Sequence, residues 1–214
     1  MSKPDFQEIK RRLQDGDKRS LEHRTERYLE ILKACGEKRI MGFYPAIESP
    51  ESSDENSLRL QALEQYTQSM WWDAFGCYVH GSYHACVLLA ASSLEGALKY
   101  KLHEVTKDKK TITRYLTLDR CIKRSMAEGI LPNDKNHRIT TAARRVQRMR
   151  DALAHANRER WRPAIALYGT PREHEVIGLP GEVQIIEEYK RGARMSLVHT
   201  GRVLGYLFPK ARHG

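Results

Sequence analysis

The sequence predicts an all-α protein built on an antiparallel bundle of four helices, with extra N-terminal helices and a C-terminal helix. Apolar residues recur every three or four positions along most of the chain, which is the spacing of one helix face. Short connections rich in glycine, proline and asparagine separate these periodic segments, which is typical of antiparallel neighbours in a bundle. The hydrophobic content of 40% is that of a globular chain.

The four bundle helices are predicted at about 58–79, 83–105, 116–128 and 137–158. The second carries Val87, Ala91, Leu94 and Leu98 on one face, and the others show the same period. Gly81-Ser82 is predicted to turn the chain between the first two helices, and Gly129 begins the stop signal after the third. A last helix is predicted at about 182–207.

The composition divides the chain into four segments. Residues 1–44 form a basic, helical N-terminal extension, and the Pro/Ser-rich, acidic residues 45–57 are predicted as a linker. Residues 58–158 form the bundle. Residues 159–214 contain loop signals and then the last helix, which is expected to pack on the bundle.

The charge of the chain favours an anionic partner. There are 37 Lys and Arg against 27 Asp and Glu, a formal net charge of +10. Such an excess is typical of proteins that bind nucleic acid, although it does not specify a fold. The chain has no apolar run near ~18 residues and no apolar signal core, so we expect no membrane segment.

The cysteines predict a reducing, cytoplasmic location. The four of them form no C-x-x-C pair and have the pattern of buried free thiols. Cys77, His80, His84 and Cys86 have the side chains of a zinc site, but Gly81-Ser82 interrupts the helix between the two histidines. We therefore predict no metal and no cofactor.

The residue types that carry chemistry are concentrated at the end of the fourth bundle helix. Arg150 and His155 stand five positions apart there, within a strongly basic run. A histidine that can transfer a proton, surrounded by cations that can hold phosphate, is what RNA cleavage without a metal requires. The candidate RNA-binding arginines are Arg144, Arg148 and Arg158.

Helical geometry separates the two central residues. Arg150 lies at the edge of the apolar stripe, roughly 140° around the helix and ~7.5 Å along it from His155. Asp151 is four positions before His155 and can orient its ring and raise its pKa. Arg150 must therefore reach around the helix or serve a site shared with a second chain. The alternative is a solvated, ion-paired helix face with an incidental histidine.

Residues of about 60–158 resemble the HEPN superfamily (higher eukaryotes and prokaryotes nucleotide-binding domain). The run from Tyr83 to Lys99, with Glu95 after a leucine, resembles the second helix of that family. Gly129-Ile130-Leu131 resembles the end of the third helix. The spacing from Arg150 to His155 resembles the family signature of Arg, four to six residues and His.

The resemblance implies a dimerising α-helical bundle with metal-independent endoribonuclease activity. Arg150 and His155 would be catalytic, and the signatures of two chains would meet in one cleft. Glu95, Asp151 and Asn157 would support them, although many toxin members have a tyrosine where this chain has Asn157. The expected partners are RNA, a second copy and an antitoxin or defence-complex protein, in a stress or anti-phage role. The alternative is a non-catalytic HEPN module that binds RNA, a nucleotide or a protein.

Overall fold

The molecule consists of helices throughout the part of the chain that the structure describes. The structure is a computed structural model, and the residues it describes are 22–31, 33–34, 55–107, 116–134, 136–154 and 181–209. The helices are α1 (22–31 and 33–34), α2 (Glu55–Val79), α3 (Tyr83–Thr106), α4 (Leu118–Ala127), α5 (Arg138–Ala154) and α6 (Gly181–Leu207). The all-α prediction is confirmed.

The observed helix ends lie close to the predicted ones, with one clear difference. Helix α2 begins at Glu55, three residues before the predicted start, inside the acidic segment that we predicted as linker. The first turn of a helix generally favours acidic residues, so an acidic composition alone does not indicate a loop. The predicted helical residues 155–158 and most of 5–40 lie outside the described residues.

Helices α2 and α3 form an antiparallel hairpin. Gly81 makes the turn with φ of 82°, a left-handed conformation that glycine adopts without strain. The rings of Tyr78 and Tyr83 lie 5.7 Å apart beside this turn. Farther along, Ser93 Oγ donates a hydrogen bond to the Thr67 carbonyl at 2.9 Å. The two helices therefore pack closely over most of their length.

The C-terminal helix α6 runs parallel to α3. The ring of Tyr189 lies against that of His84, Thr200 donates to the Ala90 carbonyl at 3.3 Å, and Phe208 lies against Tyr100. The contacts thus follow the same order along both helices. Helix α6 also packs against α2 and α5. It contributes its own buried residues to the core, namely Ala193, Leu197, Val203, Leu204 and Leu207.

Helix α3 lies at the centre of the molecule. It packs against α2, α4, α5 and α6. Its core residues are fully or almost fully buried: Cys86, Val87, Ala90, Ala91, Leu94, Ala97, Leu98 and Leu102. Among the described helices none is both long and apolar enough to cross a membrane.

The close contact between α2 and α3 generates a stability prediction. A Cβ atom at Gly96 would overlap Thr67 Oγ1, so Gly96→Ala should destabilise the protein by about 1–3 kcal/mol through overpacking. Gly76→Ala is the matched control, because a Cβ there meets open space and should stabilise the helix by about 0.5–1 kcal/mol. Urea denaturation measures both.

The same contact predicts coupling between the two positions. In Thr67→Ala the overlapping oxygen is gone, and the nearest remaining atom, Thr67 Cβ, is an ordinary 3.4 Å from the new methyl group. Gly96→Ala combined with Thr67→Ala should therefore cost less than the sum of the two single changes. If the destabilising effects of the two single changes simply add in the double variant, the two helices do not pack in this register.

Candidate functional site

Helix α5 divides into a buried stripe and a basic surface, as its sequence predicts. Its buried apolar residues are Ile139, Ala142, Ala143, Val146, Met149 and Ala152. They face α3, α4 and α6, against which the helix packs. Arg138 and Arg148 are exposed, and Arg144, Arg145 and Arg150 are half-buried. The position of each arginine around the helix therefore decides what it can bind.

Arg150 lies near the C-terminal end of α5 and is held by its neighbour. Its side chain is 38% exposed, and Nη1 donates to Asp151 Oδ1 at 3.2 Å. Gln147 Nε2 donates to the other carboxylate oxygen of Asp151, also at 3.2 Å. Asp151 thus links a guanidinium and an amide on the open side of the helix. A planar guanidinium held in this way can present its remaining N–H groups to a phosphate.

The predicted pairing of Asp151 with His155 lies outside the described residues, because the description of α5 ends at Ala154. Asn157 and Arg158 lie outside it as well. Within the described part, the Asp151 carboxylate binds Arg150 and Gln147. The sequence spacing favoured His155, four positions later, as the partner of Asp151. The structure shows that the preceding residue, Arg150, has a side chain long enough to bind the carboxylate.

Arg144 and Arg148 do not share one open surface. Arg148 is exposed, but Arg144 turns towards α4, where Nη2 lies 3.5 Å from Met126 Sδ. Arg144 Nε is buried and has no hydrogen-bond partner among the described residues. The cause is tertiary, since the short helix α4 covers the side of α5 from which Arg144 projects. Arg144 is consequently less available to a ligand than the helical pattern suggests.

Glu95, the acidic residue of the second bundle helix, forms an ion pair within its own helix. Lys99 Nζ lies 2.7 Å from Glu95 Oε1, and the two side chains are 9% and 23% exposed. Both face α4, where Cys121 is buried and its thiol pKa is raised to about 12, first by burial and then by the Glu95 charge. Such a protonated thiol is unreactive. The described contacts of Glu95 are thus those of an ion pair within its helix.

A cluster that the sequence did not reveal joins α5 to α6. His199 is 2% exposed, and its pKa is lowered to about 3 by burial and by the charges of Arg145 and Arg202. No local spacing links Arg145 to His199, because they lie on helices separated by a long segment of chain. The basic sequence of α6 was the signal that could have indicated this cluster. A basic sequence does not, however, specify which helix lies beside α6.

The structure also bears on metal binding and relatedness. Among the described residues, which include Cys77, His80, His84 and Cys86, no group of three or more His, Cys, Asp or Glu side chains is arranged to hold a metal ion. Cys86 is buried against α6, where its Sγ lies 3.8 Å from the Ala193 carbonyl oxygen. Comparisons with protein-family models, with curated proteins and with solved structures found no match.

The depressed pKa of His199 predicts a pH dependence of stability. Its pKa rises from about 3 in the folded state to its ordinary 6.5 on unfolding, so the unfolded chain takes up the proton first as the pH falls. Stability from this residue is complete above pH 6.5. It should be lost as the pH falls from 6.5 towards 3, by at most about 1.4 kcal/mol per pH unit.

Urea denaturation between pH 7 and pH 5 measures this effect. In His199→Gln the free energy of unfolding should fall less steeply as the pH is lowered. The control His80→Gln changes an exposed histidine and should keep the wild-type pH dependence. Identical pH profiles for the wild type and His199→Gln would contradict the assignment.

Proposed function

We propose that the protein is a metal-independent endoribonuclease of the HEPN type. The observation that carries this proposal is the half-exposed Arg150, held by Asp151 near the end of α5, five positions before His155. The all-α architecture and the net charge of +10 are consistent with it. The resemblance of residues 60–158 to the HEPN superfamily supplies the reaction class.

The chemistry uses the nucleophile that RNA itself carries. The 2′-oxygen attacks the adjacent phosphorus while the bond from phosphorus to the 5′-oxygen breaks. His155 takes the proton from the 2′-hydroxyl or supplies one to the leaving 5′-oxygen, a contribution of typically ~10²–10⁴-fold. Arg150 stabilises the charge that builds on the phosphoryl oxygens. The products are a 2′,3′-cyclic phosphate and a 5′-hydroxyl, and DNA is not a substrate.

Asp151 has a positioning role in this proposal. In the free protein it holds the Arg150 guanidinium through one N–H group, which leaves the others for phosphate. Because Gln147 holds the opposite oxygen of the carboxylate, the pair is fixed from two sides. Such preorganisation lowers the cost of arranging charge around the transition state.

The geometry of an α-helix supports a homodimer. If α5 continues to His155, that residue and Arg150 project roughly 140° apart and ~7.5 Å along the axis. Two copies arranged about a two-fold axis near this end of α5 would place the arginine of one beside the histidine of the other. The free thiols of Cys77, Cys86 and Cys121 support a cytoplasmic location.

A second candidate is a non-catalytic HEPN module that binds RNA, a nucleotide or a protein partner. The observation favouring it is that Glu95 and Arg150 already have ion-pair partners in the free protein. Binding without product formation distinguishes it from the enzyme. The family resemblance also leads us to propose a stress or anti-phage role, with an antitoxin or defence-complex protein as the partner.

The enzyme proposal predicts that Arg150→Ala and His155→Ala each abolish RNA cleavage in excess EDTA. Both residues act on the reacting phosphate, so losses of at least ~10²-fold are expected. Arg120→Ala is the matched control, because Arg120 is an exposed arginine on α4 and its loss should not matter. Cleavage of a mixed RNA pool, followed on gels, is the readout. Wild-type activity in pure His155→Ala would refute the proposal.

The shared site predicts complementation between inactive chains. Arg150→Ala and His155→Ala homodimers should be inactive, whereas a mixture that exchanges subunits should regain activity, because one of the two composite sites is then intact. Sedimentation velocity checks the dimer itself. Full activity in a monomer at nanomolar concentration would rule out a composite site.

A further inference from the structure

Helices α5 and α6 form a seam whose outer edge is lined by arginines from both. The helices are antiparallel there, since Ser196 Oγ lies 3.5 Å from Met149 Sδ while Arg145, one turn earlier on α5, acts on His199 of α6. Arg202 approaches the same histidine from one turn farther along α6. Two half-buried arginines from different helices therefore lie close enough to His199 for their charges to lower its pKa.

No acidic residue interrupts this seam along either helix. Residues 138–150 of α5 contain five arginines and no Asp or Glu, and residues 189–207 of α6 also lack both. On the α5 side Arg138 and Arg148 are exposed and extend the row in both directions from Arg145. The positions from 138 to 148 span about 15 Å of helix. A row of this length fits a polyanion with several charges in succession better than it fits a single anion.

An exposed aromatic ring lies at one end of the row. Tyr206 is 43% exposed and stands one helical turn after Arg202, on the same side of α6. Exposed aromatic rings beside arginines are typical of surfaces that bind single-stranded nucleic acid, because each unpaired base can stack on a ring while the phosphates meet the cations.

We infer that this arginine seam, formed by Arg138, Arg145, Arg148, Arg202 and Tyr206, binds single-stranded RNA. The arginines contact successive phosphates, and Tyr206 stacks on a base. The inference rests on the proposed function, which supplies RNA as the anionic partner. It also changes the path that the sequence predicts, because Arg144 is turned towards α4 and takes no part.

His199 helps to define the seam. Its imidazole is buried and stays neutral at physiological pH, because burial and the charges of Arg145 and Arg202 lower its pKa, so it adds no third positive charge. The two half-buried arginines are therefore partly desolvated and lie near an uncharged imidazole. Phosphate contacts made there are stronger than those of fully solvated lysines.

RNA-binding measurements with labelled oligouridine test the arginines. Arg138→Gln/Arg148→Gln changes two exposed side chains and should lower the salt slope of affinity by about 1.4, which is about 0.7 for each phosphate contact to a single strand. Arg145→Gln/Arg202→Gln should lower it at least as much. The control Arg24→Gln/Arg120→Gln removes the same charge from exposed sites on α1 and α4. Its salt slope should stay close to that of the wild type.

Equal slopes for the seam and control variants would overturn the inference. All variants keep Arg150 and His155 and carry no change in the proposed catalytic pair. If the wild type binds RNA through the seam but never cleaves it, the proposed function fails and the seam stands. If it cleaves RNA while the Arg138/Arg148 and Arg145/Arg202 variants bind normally, the seam fails and the proposed function stands.

Tyr206→Ala distinguishes RNA from an acidic protein or another polyanion. It should weaken oligouridine binding about tenfold through lost stacking, and leave the binding of heparin, which has no bases, unchanged. Tyr66→Ala is the matched control, because Tyr66 is 48% exposed on α2. Equal losses for heparin and RNA, or no loss for either, would overturn the assignment of single-stranded RNA.

Discussion

The burial of α3 is the constraint on which the rest of the structure depends. This helix contacts α2, α4, α5 and α6, so none of these four helices can move without disturbing it. Small residues allow the close approach: Gly96 faces Thr67 of α2, and Ala90 accepts a hydrogen bond from Thr200 of α6. Interiors packed in this way are sensitive to the volume of single methyl groups.

The position of α5 follows from this packing. Its apolar stripe is buried against α3 and α6, and α4 covers a third side. Its surface carries the half-buried Arg145 and the exposed Arg148, and the end of the helix carries Arg150, which binds Asp151. The packing of α5 thus fixes the positions of both the proposed RNA-binding seam, which α5 shares with α6, and the proposed catalytic arginine near the end of α5.

Much of the fold could be predicted from local pattern, because amphipathic period and turn residues are properties of short segments. The all-α class, the buried stripe of α5 and the hairpin turn at Gly81 follow from such signals. Contacts between distant segments could not be predicted. The turning of Arg144 onto Met126 and the convergence of Arg145 and Arg202 on His199 depend on which helices become neighbours. The site itself was predicted from residue type and spacing alone.

Product analysis on a substrate with one altered sugar tests the central claim most directly. An RNA carrying 2′-deoxy at the cleaved position alone should resist cleavage in EDTA, whereas the all-ribose RNA should give a 2′,3′-cyclic phosphate and a 5′-hydroxyl by mass spectrometry. This result is expected if His155 and Arg150 act on the RNA's own nucleophile. Cleavage of the deoxy-substituted RNA, or products with a 5′-phosphate, would contradict the account.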